Sequence, residues 1–377
     1  MSKVYVGCRT TKERGGTGKG ISCYRVSESG AWELLAVEET VNPSYLCTDR
    51  EEKFLYAIHG DMSSVSAYRI LHDGTLAHLN TVSTYGTNPV HLSVDRSNRR
   101  LFVANLQTGS VAVLPRNADG SLGNIQDICF LDGNGGPGYI SHPHQVMQDH
   151  TGEYLAVSAQ GRLQGVGKVT VFHIDAESGH LSEACCVKAR EGAEPRHCVF
   201  SPDNRFCYGV NEKGCTVTVY TFEAASGALT PIQVVSTLPE ECVEGGWSSG
   251  IDLSADGRTL YVSDRRQDAV SVFRIDTVTG RVSLTAMVPA LGHQPRYLCV
   301  SPDGSELLVA HERSNAVISF PIDPSDGSLG NGVERVQTGR ATRLLRTCRS
   351  KRDSRFCRPQ AQLQDSRKSV RRSPLRW

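Results

Sequence analysis

The stretch EPRHCVFSPDNRFCYGVNEKGCTVTVYTF, residues 194–222, is a clear copy of the unit that this chain repeats. A short apolar segment follows its proline, and a turn at SPDN leads into a second apolar segment. After another turn comes a segment in which apolar and polar residues alternate. Short segments of this kind, bounded by turn residues, predict β-strands, and no part of the unit has a helical period.

The same pattern occurs in five further full copies. It is marked by a proline near the start of each copy, or by a serine in one of them: Pro43, Pro89, Pro143, Pro195, Ser248 and Pro295. Successive markers are 46, 54, 52, 53 and 47 residues apart, and a partial copy opens the chain at residues 4–26. Four strands at this period are typical of propeller blades. The sequence therefore predicts an all-β, seven-bladed β-propeller with four-stranded antiparallel blades. The first copy lacks its innermost strand, which we expect the C-terminal part of the chain to supply.

Composition points to an ordinary globular protein. Hydrophobic residues make up 39% and charged residues 21% of the 377 residues, and no apolar run approaches the roughly 20 residues of a membrane span. The N-terminus does not resemble a signal peptide. The 13 cysteines are scattered within strand-like segments without a CxxC pair. We therefore expect a cytoplasmic protein with free thiols and no membrane partner.

Charge separates the chain into two parts. The net charge of +1 combines 13 basic and 2 acidic residues after position 339 with a net charge of −10 in the preceding part. We expect a propeller over residues 1–339 and a basic tail over residues 340–377, disordered beyond about residue 347. The tail could bind nucleic acid or an acidic surface, or it could result from a reading-frame change near residue 339. The abrupt change of composition favours the second account, so a nucleic-acid partner is not expected.

Two positions of the repeat should converge at one mouth of the central channel. The residues after the marker are Ser44, Val90, His144, Arg196, Ser249 and Arg296. Those just past the second strand are Arg9, Gly60, Leu106, Gln160, Glu212, Arg265 and Glu312. Convergent polar groups in a concave pocket indicate a site. We expect His144, Arg196, Glu212 and Arg265 to face one another there.

Structural explanations exist for some of these residues. Glu212 and Arg265 could form a plain salt bridge between blades, and either Arg196 or Arg296 could be structural. Arg196 is preferred because its blade also carries Glu212. We interpret His142 as a loop residue. No metal site is expected from the two histidines, since adjacent strand residues point apart and no further ligand has suitable spacing.

Several phrases together resemble the seven-bladed propeller lactonase family: YVG, NPSYL, HPHQV, EPRHCVFSPDN, LYVSDR and SVAVLPRNADGSLG. That family includes a bacterial type of 6-phosphogluconolactonase and fungal carboxy-muconate lactonizing enzymes. The resemblance implies an active site at His144, Arg196, Glu212 and Arg265. One departure is the longer segment VSAQGRLQGVGKVTVF after the HPH phrase, which could reshape the pocket.

The resemblance and the residues imply a lactonase without cofactor or metal. Its partner would be a small anionic lactone, and 6-phosphogluconolactone is the expected substrate. We assign catalysis to His144, Glu212 and Arg265, with either His144 or Glu212 as base. Substrate binding is assigned to Arg196, Arg265 and Arg296, because paired arginines suit a phosphate or carboxylate. Carboxy-muconate cyclisation and a non-catalytic binding platform are the alternatives.

Overall fold

The computed structural model describes residues 2–133, 138–162 and 165–347. These residues form 28 β-strands and one short 3-10 helix. The strands make seven four-stranded antiparallel sheets, so the predicted seven-bladed propeller is confirmed. Within this part of the chain, no helix is long and apolar enough to cross a membrane.

The blades follow the sequence repeat. Blade 1 contains β28 (Arg340–Arg346), β1 (Lys3–Arg9), β2 (Gly20–Val26) and β3 (Trp32–Glu39), with the 3-10 helix at Lys12–Arg14. Blade 2 contains β4 (Pro43–Thr48), β5 (Phe54–His59), β6 (Ser64–Ile70) and β7 (Leu76–Ser83). Blade 3 contains β8 (Pro89–Val94), β9 (Arg100–Asn105), β10 (Ser110–Pro115) and β11 (Asp127–Phe130). Blade 4 contains β12 (His142–Gln148), β13 (Tyr154–Gln160), β14 (Lys168–Ile174) and β15 (Leu181–Lys188).

The last three blades have the same order. Blade 5 contains β16 (Pro195–Phe200), β17 (Phe206–Asn211), β18 (Thr216–Glu223) and β19 (Ala228–Ser236). Blade 6 contains β20 (Ser248–Leu253), β21 (Thr259–Asp264), β22 (Ala269–Ile275) and β23 (Val282–Pro289). Blade 7 contains β24 (Pro295–Val300), β25 (Glu306–His311), β26 (Ala316–Pro321) and β27 (Val333–Gln337). The first strands of neighbouring blades contact one another around the axis, and β28 takes this inner place in blade 1.

The packing is a ring of interfaces between blades. Buried apolar side chains form seven clusters among the described residues, and each cluster joins two neighbouring blades. The cluster between blades 7 and 1, for example, brings Tyr297 and Leu308 against Val4, Val6 and residues of β28. Burial of apolar surface is the main stabilising term in folding. Each blade is therefore stabilised through both of its neighbours.

The strand β28 closes this ring. It pairs antiparallel with β1, and its Ala341 and Leu344 are almost fully buried. The propeller therefore extends to Arg346, seven residues beyond the boundary expected at residue 339. The chain's own segment RATRLLR supplies the closing strand, although the composition changes abruptly there. The origin of the terminal sequence stays a prediction, and the expected disorder of the tail concerns residues outside the described ones.

We predict that two truncations will differ strongly in stability. Removal of residues 340–377 should lower the melting temperature by about 10 °C relative to removal of residues 348–377, because a buried leucine and a full strand ladder are lost. Differential scanning calorimetry of the two proteins measures the difference. Since they differ only in residues 340–347, the comparison isolates the closing strand. Equal melting temperatures would show that β28 does not stabilise the ring.

Candidate active site

A β-bulge places the residues that follow the marker prolines at the mouth of the central channel. The antiparallel register shifts at the residue after the marker proline in β4, β8, β12, β16 and β24. A bulge leaves the extra residue outside the regular ladder and re-aims its side chain. The residues concerned are Ser44, Val90, His144, Arg196 and Arg296. The bulge therefore explains how this position of the repeat can carry side chains into the channel.

The mouth contains a cavity of about 580 Å³. Four of the five predicted site residues line it, and the fifth, Arg196, lies directly behind Glu212. The described lining includes seven arginines and three glutamates, so the cavity carries an excess of positive charge: Arg9, Arg14, Arg162, Arg265, Arg296, Arg313 and Arg340, with Glu13, Glu212 and Glu312. Such a cavity suits an anionic ligand.

Glu212 lies at the centre of a hydrogen-bonded cluster. Its Oε2 is 3.2 Å from Arg196 Nε and accepts a 2.9 Å hydrogen bond from Gln160 Nε2. Its Oε1 is 3.2 Å from Arg265 Nη2 and accepts a 2.7 Å hydrogen bond from Trp247 Nε1. Burial opposes ionisation of Glu212, but Arg265 and Arg196 outweigh that effect and lower its pKa far below the ordinary range. Glu212 is therefore a fixed carboxylate at neutral pH.

The two arginines beside Glu212 are held by further contacts. The Nη1 of Arg196 donates to the carbonyl of Ser249 at 2.7 Å. Arg265 stacks on the ring of Trp247, with its guanidinium carbon 3.8 Å from the ring centroid. Burial, opposed by Glu212, lowers the pKa of Arg265 to about 10, so it is still a cation at neutral pH. The expected salt bridge between blades is present, and it belongs to a larger cluster.

His144 differs from its charged neighbours because it is buried and neutral. Burial, followed by repulsion from Arg196, lowers the pKa of His144 well below the usual histidine value. Its Nδ1 is buried without a hydrogen-bond partner on another described residue. The side chain also borders the cavity. A neutral imidazole in this position can accept a proton from a bound water.

A second Arg–Glu–Arg cluster lies at the mouth beside the first, between blades 7 and 1. The Nη1 of Arg296 lies 3.4 Å from Glu312 Oε2, and Arg9 Nε lies 3.9 Å from Glu312 Oε1. Burial opposes ionisation of Glu312, but Arg296 and Arg9 outweigh it and lower its pKa. The preference for Arg196 over Arg296 rested on Glu212, yet the blade of Arg296 carries Glu312 at the same place. The repeat alignment already placed Glu312 and Arg9 at the same position of the repeat as Glu212 and Arg265.

The axis below the mouth is filled by rings and one arginine. The guanidinium carbon of Arg343 lies 4.1 Å from the Tyr45 ring centroid and 4.0 Å from that of Tyr297. His197 lies beside them, with its ring centroid 5.2 Å from that of His144. These side chains form a packed floor beneath the cavity. Sequence reasoning missed them, since this position of the repeat has no constant residue type: it carries Tyr45, His91, Gln145, His197, Gly250 and Tyr297.

The structure can be compared with the expectations for His142, for metal ligands and for the cysteines. His142 is the first residue of β12, not a loop residue, and its Nδ1 is hydrogen-bonded to the carbonyl of Leu106 at 2.8 Å. In the described part of the chain, no three His, Cys, Asp or Glu side chains are grouped so that they could hold a metal ion. The eleven described cysteines are unpaired.

Comparison with known proteins assigns the family. A sequence profile described as "Lactonase, 7-bladed beta-propeller" matches residues 3–346. The chain therefore belongs to the seven-bladed β-propeller lactonase family, and the prediction of a lactonase is confirmed. The chain is 28% identical over 330 residues to the 6-phosphogluconolactonase of Bacillus subtilis, which covers 86% of this chain and 93% of the relative. It is 32% identical over 271 residues to that of Pectobacterium atrosepticum, covering 70% of this chain and 76% of the relative.

Solved structures agree with this assignment. A structure described as a 6-phosphogluconolactonase of Bacteroides fragilis superposes with a TM-score of 0.81 at 29% identity, covering 92% of this chain and 98% of that one. The periplasmic gluconolactonase of Pseudomonas aeruginosa superposes with a TM-score of 0.83 at 29% identity, covering 92% and 99%. The names of these two proteins differ in substrate, and the second name states a compartment, the periplasm. The cytoplasmic location of this chain therefore stays a prediction.

We predict that Glu212→Gln will destabilise the protein by about 3 kcal/mol at pH 7, because it leaves two buried arginines without their counter-ion. The folded-state pKa of Glu212 is lowered, so its contribution is present above the unfolded value of about 4.3 and is lost as the pH falls below it. Urea unfolding of both proteins from pH 7 to pH 3 measures this. The difference should shrink towards pH 3.

A matched control is Glu33→Gln, which removes one partner of an exposed pair with Arg25. Exposed pairs contribute little, so this variant should unfold like the parent protein. If Glu212→Gln also unfolds like the parent at pH 7, the arginines do not depend on Glu212 for their burial.

Proposed function

We propose that the mouth of the propeller hydrolyses an anionic sugar lactone, with 6-phosphogluconolactone as the leading substrate. The observation that carries the proposal is His144, a neutral imidazole bordering an arginine-rich cavity. Lactone opening needs a proton acceptor for water and a cation or donor for the developing oxyanion. His144 supplies the first and Arg265 the second. The names of the relatives support a lactone substrate.

The first step is addition of water to the lactone carbonyl. His144 accepts a proton from the water as its oxygen bonds to the carbonyl carbon, and the electron pair of the C=O bond moves to the carbonyl oxygen. Arg265 stabilises that oxyanion. We assign the base to His144 rather than Glu212, because the pKa of Glu212 is lowered by its arginines and its oxygens already accept several hydrogen bonds. Glu212 then acts as a positioning residue for Arg196 and Arg265.

The second step is collapse of the tetrahedral intermediate. The carbonyl re-forms, the bond to the ring oxygen breaks, and that oxygen takes the proton back from protonated His144. The product is the open hydroxy acid. Since burial lowers the pKa of His144, its protonated form is a stronger acid than ordinary imidazolium and returns the proton readily. The same residue therefore serves both steps.

We predict that His144→Gln and Arg265→Gln will each lower kcat/KM for 6-phosphogluconolactone by about 100-fold or more, because one removes the base and the other an oxyanion partner. Lactone opening is followed by proton release, against a blank for spontaneous hydrolysis. Melting curves test whether each variant is folded. Near-normal rates on 6-phosphogluconolactone and on every other lactone tried would contradict the site assignment.

The pH dependence of kcat/KM distinguishes a catalytic base from a purely structural role for His144. With glucono-δ-lactone, which carries no titrating phosphate, the acid limb of kcat/KM should lie below pH 6.5 because the pKa of His144 is lowered. This limb should disappear in the His144→Gln variant.

Turnover of a carboxy-muconate instead of a lactone would favour cyclisation, and absence of both activities would favour a binding platform.

We also predict that activity will persist after dialysis against a strong chelator. The cavity's excess of arginines opposes binding of a divalent cation, and the mechanism assigns every step to side chains. Initial rates before and after dialysis, with metal-free buffer throughout, provide the measurement. Loss of activity that is restored by calcium or zinc would refute the mechanism.

A further inference from the structure

The two Arg–Glu–Arg clusters at the mouth differ in how fully their arginines are bonded. Around Glu212, two arginines and two neutral donors lie within 3.2 Å of the carboxylate oxygens. Around Glu312, the two arginine contacts are 3.4 Å and 3.9 Å long. Each arginine beside Glu212 leaves one nitrogen, its Nε, without a hydrogen bond, whereas Arg9 beside Glu312 leaves two.

Arg9 has the largest unused capacity. Its side chain is only 7% exposed, and its Nε and Nη1 have no hydrogen-bond partner among the described residues. Its Nη1 lies 3.6 Å from Asp61, whose carboxylate is already bound by Arg14 through a 2.7 Å hydrogen bond. Buried guanidinium N–H groups without acceptors are costly. A ligand anion in the cavity that Arg9 lines would add negative charge beside this guanidinium.

Arg340 adds a third cation to the same side. It lines the cavity together with Arg9 and Arg296, and its Nε is buried without a partner in the described part of the chain. Its Nη1 donates to the carbonyl of Gly15 at 3.3 Å, which directs the side chain to this side of the mouth. Arg340 acts on the same carboxylate as Arg9 and Arg296, since all three lower the pKa of Glu312.

We propose that Arg9, Arg296 and Arg340 form a phosphate subsite that binds the phosphoryl group of the substrate. The inference rests on the proposed function and deepens it, because it distinguishes a phosphorylated sugar lactone from a plain one. A phosphate dianion has three oxygens that accept charge-assisted hydrogen bonds, and guanidinium groups match it in charge and geometry. The subsite belongs to blades 7 and 1, next to the blade of Arg265, and the reacting carbonyl would lie beside His144 in the same cavity.

The test compares two substrates that differ only in the phosphate. For 6-phosphogluconolactone, Arg340→Gln and Arg9→Gln should each raise KM by about tenfold or more, as loss of a charge-assisted hydrogen bond implies. For glucono-δ-lactone, KM and kcat should change little. Inorganic phosphate should inhibit the parent enzyme competitively, and its inhibition constant should rise by a similar factor in the variants.

Controls separate the subsite from general effects of charge and folding. Arg258→Gln removes a cation that precedes β21, at the end of the propeller opposite the mouth, where it pairs with Asp256. It should alter neither substrate's KM. Because Arg9 is buried, melting curves accompany its variant, and Arg9→Lys provides a second, more conservative change that should retain part of the phosphate preference.

The outcomes also distinguish the two proposals. If the parent enzyme opens neither lactone, the proposed function fails. If it opens both, and folded Arg340→Gln and Arg9→Gln lose the same factor on each substrate, the function stands and the phosphate subsite is overturned. A parent enzyme with no preference for the phosphorylated lactone, and no inhibition by phosphate, would overturn the subsite as well.

Discussion

The pairing of β28 with β1 is the interaction on which the rest of the structure depends. It joins residues more than 330 positions apart, such as Val4 and Arg346, and so connects the two ends of the series of blades. Each apolar cluster lies between two blades, so an open ring would expose the surface of its first and last blade. Closure therefore stabilises both end blades and fixes the spacing of all seven inner strands around the axis.

That spacing is also what forms the site. The side chains at the mouth come from separate blades, and none of their clusters exists within a single sheet. Glu212 contacts Arg196 of its own blade and Arg265 of the next, while Glu312 contacts Arg296 of its own blade and Arg9 of the next. The same arrangement occurs twice because two blades carry the same pair of residues at equivalent positions. The channel mouth thus contains two similar clusters that differ in their remaining hydrogen-bonding capacity.

Repetition explains how much of this could be predicted from the sequence. A marker residue and alternating strands defined each blade. Alignment of the repeats was enough to predict that His144, Glu212 and Arg265 lie at one mouth of the channel. Local pattern could not predict Trp247 as a hydrogen-bond donor to Glu212, since it stands where other copies carry Asn, His, Glu or Gln. The stacking of Arg343 between Tyr45 and Tyr297 could not be predicted from the sequence either, because those contacts join three blades across the axis. Composition also misplaced the end of the propeller, because β28 is rich in arginine.

The arginines of β28 serve the fold and the site in different ways. Ala341 and Leu344 pack into the cluster between blades 7 and 1, Arg343 fills the axis, and Arg340 reaches the cavity. A strand of apolar residues alone could close the ring equally well, but it would leave the floor without its cation and the mouth with one positive charge fewer. An arginine within the closing strand is tolerated because stacking on two tyrosine rings compensates part of its desolvation. The strand that completes the propeller therefore also adds a positive charge to its mouth, so ring closure and part of the charge of the cavity depend on one element of structure.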